Sequence, residues 1–470
     1  MSILTKLARR PYRSPLHLYP TKIIIAAQPM AAYSTQPSHQ PSWLKSLLDN
    51  ASPAPKLYAW SPANIDSSIS NNDNSNQFTS DDLDRRIFIL GVGNLGRLYA
   101  SCLSMNSPRP PITLVVHRKE LLSQWAQGLG LEITRLGQIY RGKDEFQIEW
   151  WTEQAPSLGP VREVAQASKI RNLIVATKAA AAMPETDKLR GYLDNKSSVA
   201  FLQNGMSKLW PPHGQEYISK RYPDNNGPNI LACVTNHGVL SEGPFKSLHA
   251  SPADSAIGPV LLNNSTQPVS PSVTYLTQAI ATAPNLNARS ITRAELWVSQ
   301  LQKLVVNSSI NPLTAILRCK NGGLFENPDG VIAKVMDRLL SESSAILQTL
   351  INHPSSAEIL TSADNDTQSL DLLREDLTLR FSQPQLRSML YKIGNVVKEN
   401  TSSMLQDVRA GKTTEIQDFN GWLVEMADFL RQNSGVEHHE LGVSCHRTLI
   451  ALVESGAVLN ELELGKHLLS

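Results

Sequence analysis

The 470-residue sequence predicts an α/β protein with a doubly wound parallel-sheet domain followed by an all-helical domain. First, the apolar run Ile87–Leu90 is followed at once by GVGNLG and by residues with helical spacing, the order strand, loop, helix. Second, "NLIVATKAAAAM" and "SSVAFLQNGM" repeat the pattern of a buried strand that leads into a crossover. Third, the apolar residues recur with helical period from about Ile291 onward. We therefore predict domains at 85–290 and 291–470.

Composition limits the classes of function. Lys and Arg number 44 against 42 Asp and Glu, so the net charge of +2 gives no electrostatic basis for nucleic-acid binding. The 4 cysteines are far apart and form no CxxC pair, which indicates reduced, mostly buried thiols in an intracellular protein and no metal site. No stretch reaches about 18 consecutive apolar residues, so we expect no membrane-spanning segment.

The N-terminal segment differs from the rest of the chain. No acidic residue precedes Asp49, whereas basic residues occur at Lys6, Arg9, Arg10, Arg13 and Lys22. This composition predicts a mitochondrial presequence over residues 1–40, and therefore a mitochondrial location for the protein. The alternative is an unstructured basic tail on a cytoplasmic protein. Residues 41–84 are predicted to form an arm and a flexible linker, because 67–84 are rich in Ser, Asn and Asp.

The glycine-rich stretch has the spacing of a phosphate-binding loop. Gly91 would permit the tight turn, Gly93 the approach of the backbone to a pyrophosphate, and Gly96 close packing of helix on strand. The following helix, which starts near Asn94 and Leu95, offers free N–H groups to an anion. The stretch therefore predicts a Rossmann-type dinucleotide site.

The next strand predicts which dinucleotide binds. An NAD enzyme would place Asp or Glu after it, but "ITLVVHRKE" has His117, Arg118 and Lys119. Cationic side chains suit a 2′-phosphate, so NADP(H) is favoured over NAD(H); a solvated basic loop is the alternative. Lys178 follows another strand at its carboxyl end, where open α/β sheets bind ligands.

The helical domain contains an unusual polar stripe. In "KLVVNSSINPLTAI", Lys303, Asn307 and Asn311 recur every four residues among apolar neighbours, so they share one face of a helix. Taken alone, the segment is typical of a solvent-facing edge. A lysine ammonium beside two uncharged amides could also stabilise and protonate a carbonyl oxygen during its reduction.

Five blocks together resemble the ketopantoate reductase (2-dehydropantoate 2-reductase) family over about residues 86–460. They are GVGNLG, Thr177-Lys178, LQNGM, KLVVNSSINPLTAI and SSMLQDVRAGKTTEIQDFNGWL. The resemblance implies a Rossmann-type domain followed by a helical domain, with the active site in the cleft between them. It also implies NADPH-dependent reduction of 2-dehydropantoate to pantoate, a step of pantothenate and coenzyme A biosynthesis.

The resemblance assigns roles to the residues that match these blocks. Lys303 would donate the proton, Asn307 and Asn311 would bind substrate, and Ser403 would bind its carboxylate. Glu415 would hold a substrate hydroxyl, and Asn204 would lie near nicotinamide and substrate. The cofactor would contact the following residues: Gly91, Gly93, Asn94, Leu95, Gly96, Arg118, Lys178, Asn204 and Glu415.

Two other readings are open at this point. One is an NADP-dependent reductase of another 2-keto acid, because a single sequence does not identify the pocket wall. The other is a non-enzymatic paralogue with a role in mitochondrial gene expression. For either enzyme we expect a small-molecule substrate and a monomer or homodimer that binds neither nucleic acid nor membrane. Insertions near 208–230, 260–285 and 352–372 are expected to be surface additions.

Overall fold

The computed structural model describes residues 40–65, 79–263, 269–361, 367–433 and 441–469. Residues 1–39 and 66–78, which carry the predicted presequence and most of the predicted linker, lie outside the described residues. The strands are β1 Tyr58–Trp60, β2 Ile87–Leu90, β3 Ile112–Val116, β4 Leu131–Arg135, β5 Gln138–Gly142, β6 Phe146–Thr152, β7 Asn172–Val175, β8 Ser198–Phe201, β9 Asn229–Thr235, β10 Gly238–Gly243, β11 Lys246–Ser251, β12 Ser255–Leu261 and β13 Ala288–Ser290.

The α-helices of the first domain and of the arm before it are α1 Ser42–Leu48, α2 Ser80–Arg85, α3 Asn94–Leu103, α4 Glu120–Gln127, α5 Ala179–Lys188, α6 His213–Arg221 and α7 Pro271–Ala281. Those that follow are α8 Arg293–Leu317, α9 Val331–Asn352, α10 Ala357–Leu360, α11 Thr367–Arg380, α12 Gln383–Val396, α13 Ser403–Arg409, α14 Trp422–Asn433, α15 Ser444–Glu454 and α16 Glu461–Leu468. Among the described residues no helix is long and apolar enough to cross a membrane.

The main sheet has the doubly wound arrangement that the sequence predicts. Its order is β1-β6-β3-β2-β7-β8-β9-β12-β13, and the six strands from β6 to β9 run parallel. The central strands β2, β3, β7 and β8 are buried along their whole length, as parallel strands covered on both faces are. Their carboxyl ends meet at one edge of the sheet, which therefore brings the phosphate loop, Arg118, Lys178 and Asn204 together.

The strands from β9 to β12 are divided between two sheets. Strands β9 and β12 pair antiparallel within the main sheet, whereas β10 and β11 belong to a second sheet of order β10-β11-β4-β5. The second sheet depends on a long-range pairing of β11 with β4, which no local pattern in the sequence predicts.

Two of the three predicted insertions are more than surface additions. Helix α6 lies within the first and buries Tyr217, whose hydroxyl donates to Asp187 at 3.1 Å. Helix α7 lies within the second and buries Leu276 and Ile280 completely. Because both helices carry large apolar side chains into the core, they stabilise the first domain from its outer faces.

Helix α8 carries the polar stripe and passes through Pro312 without ending. A proline at 312 cannot donate a hydrogen bond to the carbonyl oxygen of Ser308. The buried side chain of Asn420 donates to that oxygen instead, at 3.0 Å, from a π-helical turn at Gln417–Gly421. At its start the helix has a capping box between Thr292 and Glu295. The hydrogen bond that Pro312 cannot make is thus replaced by one from the π-helical turn, which begins two residues after Glu415.

Candidate active site

The site lies in a cleft of about 1930 Å³ between the carboxyl edge of the main sheet and the helical domain. Every predicted site residue except Gly96 lines this cleft. The set from the first domain is Gly91, Gly93, Asn94, Leu95, Arg118, Lys178 and Asn204, and the set from the helical domain is Lys303, Asn307, Asn311, Ser403 and Glu415. The structure therefore brings together residues that are as far apart in the chain as Gly91 and Glu415.

The phosphate loop has the geometry that a dinucleotide requires. Gly91 has φ +98°, a left-handed conformation, and a Cβ there would lie 2.9 Å from the backbone of Ala176. A Cβ on Gly96 would lie 2.1 Å from the Gly91 carbonyl oxygen, so Gly96 acts in packing and does not reach the cleft. Gly93 has open space where its Cβ would be and directly precedes α3. These residues fit a pyrophosphate at the start of α3.

Asn94 and Arg97 tie this loop to the second sheet. The Asn94 amide donates to the carbonyl oxygen of Val239 at 3.0 Å, and its Oδ1 accepts from Arg97 at 2.8 Å. Arg97 is buried and also donates to the carbonyl oxygens of Gly243 and Lys246, at 2.6 and 2.8 Å. The Asn94 side chain is therefore engaged within the protein, which leaves its backbone N–H as the group available to a phosphate.

A basic corner lies beside the loop, at the end of β3. Arg118 is exposed and lines the cleft, and its side chain makes no hydrogen bond or ion pair within the part of the chain that the structure describes. His117 also lines the cleft, and burial together with the Arg118 charge lowers its pKa. Lys119 precedes α4 and does not line the cleft. Of the three basic residues, Arg118 is thus the one that both lines the cleft and is always charged, so it can bind a 2′-phosphate.

Lys303 is held at the floor of the cleft by two neutral oxygens. Its Nζ donates to Asn204 Oδ1 at 3.1 Å and to the carbonyl oxygen of Thr235 at 2.5 Å. Asn204 in turn donates from Nδ2 to Glu415 Oε2 at 3.2 Å. The amide of Asn204, at the end of a first-domain strand, therefore bridges the ammonium and the carboxylate of the helical domain. Its orientation is fixed from both sides.

Burial sets the protonation of this chain of residues. Desolvation lowers the pKa of Lys303 to about 8, although Glu415 and Asp254 act in the opposite direction. Desolvation raises the pKa of Glu415, and the nearby charge of Lys178 partly offsets this. The accessible part of Lys303 borders the cleft, so its ammonium can lose a proton to a bound ligand near neutral pH.

The remaining predicted substrate residues are brought together by a side-chain contact between helices. Thr314 of α8 and Ser402, the N-cap residue of α13, share a hydrogen bond of 2.7 Å. This contact places Ser403 where its Oγ accepts from Asn311 Nδ2 at 3.3 Å. Asn307 lies one turn before Asn311 and lines the same cleft. The stripe of α8 is thus a wall of the cleft, not the solvent-facing edge.

Lys178 has a partner that the sequence did not reveal. Its Nζ forms an ion pair of 2.7 Å with Asp407 of α13, across the cleft between the two domains. Burial acts to lower its pKa, but the hydrogen bond to Asp407 and the charges of Glu415 and Asp418 outweigh this and raise it. Lys178 lines the cleft as predicted and is in addition a link between the domains.

Three polar residues of the cleft received no role from the sequence, although Thr177 stands in the Thr177-Lys178 block. Thr177 Oγ1 and Asn321 Oδ1 are buried at the cleft and have no hydrogen-bond partner within the described residues. His237 lines the cleft, accepts from the N–H of Ala253 at 2.9 Å and lies 3.0 Å from the Leu286 carbonyl oxygen. Thr177 follows the strand that precedes Lys178, a position that could have identified it. Asn321 and His237 lie in no motif. No group of three potential metal ligands occurs among the described side chains.

The fold and the site define an oxidoreductase with its active site between a dinucleotide-type domain and a helical domain. Profiles of "Ketopantoate reductase PanE/ApbA" and of its C-terminal part match residues 87–261 and 295–451. The chain belongs to the ketopantoate reductase family.

Two curated relatives span most of the chain. The chain is 46% identical over 454 residues to "Ketoisovalerate reductase BEA2" of Gibberella fujikuroi, which covers 91% of this chain and 99% of the relative. It is 27% identical over 395 residues to the "Probable 2-dehydropantoate 2-reductase" of Schizosaccharomyces pombe, covering 80% of this chain and 98% of the relative.

A solved structure agrees with the fold. The ternary structure of D-mandelate dehydrogenase with NADH and anilino(oxo)acetate matches with a TM-score of 0.52 and 16% identity. The match covers 81% of this chain and 99% of that chain. At this identity the likeness concerns the fold alone.

Proposed function

We propose that the protein reduces a branched 2-keto acid, 2-ketoisovalerate, to the 2-hydroxy acid with NADPH. The Lys303–Asn204–Glu415 arrangement carries the proposal of a carbonyl reductase, because it holds a proton donor with a pKa of about 8 in the cleft. The substrate is proposed from the 46% identical ketoisovalerate reductase, against 27% identity to a 2-dehydropantoate reductase. The relatives thus favour our alternative reading over reduction of 2-dehydropantoate.

The polar side chains that line the cleft are proposed to have distinct roles in this reaction. A reduced nicotinamide, when bound, supplies a hydride to the C2 carbonyl carbon. Lys303 donates its proton to the carbonyl oxygen as negative charge develops there, and solvent restores the proton afterwards. Asn204 and the Thr235 carbonyl hold the ammonium in position. Ser403 and Asn311, which contact each other, are placed to bind the substrate carboxylate.

The proposed substrate changes the task of Glu415. The sequence resemblance gave it a substrate hydroxyl to hold, but 2-ketoisovalerate has no hydroxyl group. In the structure, Glu415 accepts a hydrogen bond from Asn204 and therefore orients the amide that holds Lys303. Next to the polar stripe, Val306 and Ile310 line the cleft from the same face of α8. These two side chains offer apolar surface to an isopropyl group.

NADPH is proposed over NADH because of the basic corner. Arg118 is exposed and unpaired within the described part of the chain, at the strand end where an NAD enzyme would carry an acidic residue. Its planar guanidinium can bind a 2′-phosphate with two hydrogen bonds.

The test is NADPH oxidation by the purified full-length protein with 2-ketoisovalerate, 2-dehydropantoate and pyruvate. We expect kcat/KM for 2-ketoisovalerate to exceed that for 2-dehydropantoate by roughly 10- to 100-fold, because 2-dehydropantoate carries an additional hydroxymethyl group that an apolar pocket accommodates poorly. The Lys303→Ala variant is the matched control for contaminating reductases. A preference for 2-dehydropantoate would contradict this proposal and support 2-dehydropantoate as the substrate. No oxidation with any of the acids would favour the non-enzymatic alternative.

A further inference from the structure

The N-terminal arm, residues 40–65, contributes a side chain to the cleft. Three apolar side chains line the cleft together with Arg118: Leu57 of the arm, Trp151 of β6 and Leu189. Leu57 is only 5% exposed, yet it borders the cavity. No motif of the sequence gave this segment a functional role.

Strand register places the arm relative to the basic corner. Strand β6 runs parallel to β3, with Val116 opposite Trp150, so the residues after Val116 lie next to Trp151. Strand β1 then pairs antiparallel with β6, with Ala59 opposite Trp151. Neighbouring strands are about 4.8 Å apart, so Leu57 lies about two strand spacings from the end of β3. In a Rossmann-type domain the end of this strand binds the adenosine ribose.

The arm is fixed in this position by specific contacts. The N–H of Leu57 donates to the hydroxyl oxygen of Tyr192 at 2.8 Å, and that hydroxyl donates to Glu163 at 2.9 Å. Lys56 forms an ion pair of 3.0 Å with the same Glu163. Farther along the arm, Arg221 donates to the Asn50 carbonyl oxygen at 2.7 Å. Leu57 is thus presented to the cleft from a rigid support.

We propose that the N-terminal arm is part of the cofactor site, with Leu57 and Trp151 as the apolar wall of an adenosine-binding subsite. The adenine of a 2′-phosphorylated dinucleotide needs apolar contact next to the cation that binds the phosphate, and the arm supplies it beside Arg118. This inference rests on the proposed use of NADPH. It goes beyond that proposal because it assigns cofactor binding to a segment before the dinucleotide-type domain.

The experiment compares Leu57→Ala and Leu44→Ala in the full-length protein. Both remove a buried leucine from the arm, but Leu44 is fully buried in α1 and does not line the cleft. Dissociation constants are measured by calorimetry for NADPH, for 2′,5′-ADP and for reduced nicotinamide mononucleotide.

For Leu57→Ala we expect NADPH and 2′,5′-ADP to bind about 3- to 10-fold more weakly, the effect of one to two methylene contacts, with the mononucleotide unchanged. Leu44→Ala should lower the melting temperature without this loss. Unchanged 2′,5′-ADP binding by Leu57→Ala, or an equal loss in Leu44→Ala, would overturn the proposal. Wild-type protein that binds no NADPH would instead overturn the proposed function.

A second measurement uses the unaltered protein, in case Leu57→Ala does not fold. Hydrogen exchange of the amides of residues 56–60 is followed with saturating 2′,5′-ADP and, separately, with the reduced mononucleotide. We expect 2′,5′-ADP alone to slow exchange in this segment. Equal exchange with and without 2′,5′-ADP would contradict a contact between the arm and the adenosine half.

Discussion

Two lysines line the same cleft in opposite electrostatic surroundings. Lys303 donates only to neutral oxygens, those of Asn204 and Thr235, and burial lowers its pKa to about 8. Lys178 is 54% exposed and forms an ion pair with Asp407, and carboxylates raise its pKa. The first lysine can give up a proton near neutral pH, whereas the second stays charged. The partner of a lysine, and not its presence in the cleft, therefore decides whether it can act as an acid.

The largest effect should come from removing the acid. We expect Lys303→Ala to reduce kcat by about 10²- to 10⁴-fold, as the loss of other positioned acids does, with little change in NADPH affinity. Steady-state kinetics and a cofactor titration check this. The same change at Lys178 should lower kcat by much less. If the two variants lost kcat equally, the distinction between the two lysines would fail.

The next largest effect should come from removing the basic side chain proposed to bind the 2′-phosphate of the cofactor. Arg118→Ala should weaken NADPH binding by roughly 10- to 100-fold, the value of a charge-assisted contact, and leave NADH binding nearly unchanged. Fluorescence titrations with both cofactors measure the ratio. An equal loss for the two would remove Arg118 from the 2′-phosphate site and leave His117 as the candidate.

The pKa of Lys303 predicts a pH dependence. Because the protonated form is the donor, kcat/KM for reduction should be level below about pH 8 and fall about tenfold per pH unit above it. A pH profile measures this, and in Lys303→Arg any remaining activity should lose the limb near pH 8.

The same shift predicts an effect on stability. Since the folded pKa of about 8 lies below the ordinary lysine value of 10.5, the unfolded state binds more protons between these two values. The free energy of unfolding should therefore rise with pH across this window relative to Lys303→Met. Parallel pH dependences of the two proteins in denaturant titrations would contradict the lowered pKa.

Replacement of Glu415 tests whether proton donation by Lys303 depends on the residues that hold it. Glu415→Ala should lower kcat and raise KM, each by about tenfold, because the amide of Asn204 loses the acceptor that orients it. Glu415→Gln, which keeps an acceptor oxygen, should recover part of the loss. In the double variant with Lys303→Ala the two effects should not add. Full additivity would show that the two residues act separately.

The smallest effect should come from the link between the domains. Asp407→Asn removes the charge that pairs with a half-exposed lysine, and such pairs contribute about 1 kcal/mol or less. We expect a change of about two- to fivefold in KM for NADPH and little change in kcat. A loss as large as that of Lys303→Ala would mean that Asp407 acts in the chemistry.

Much of the fold followed from local patterns in the sequence. Strand β2 coincides with the apolar run Ile87–Leu90, because a strand buried on both faces needs an unbroken apolar segment. The phosphate loop followed from glycine spacing, since only glycine permits the φ of residue 91 and the packing at residue 96. The roles proposed for Lys303 and Glu415 came from motifs, and the structure brings these residues together through Asn204.

Tertiary structure decided what depends on contacts between distant segments. The pairing of β11 with β4, the ion pair of Lys178 with Asp407 and the pairing of β1 with β6, next to which Leu57 reaches the cleft, each join residues at least 90 positions apart. The pKa of Lys303 belongs to this group as well, because desolvation depends on everything that surrounds the ammonium. The sequence by itself determined which groups could perform the chemistry. Only the packed cleft decided which lysine is able to give up its proton.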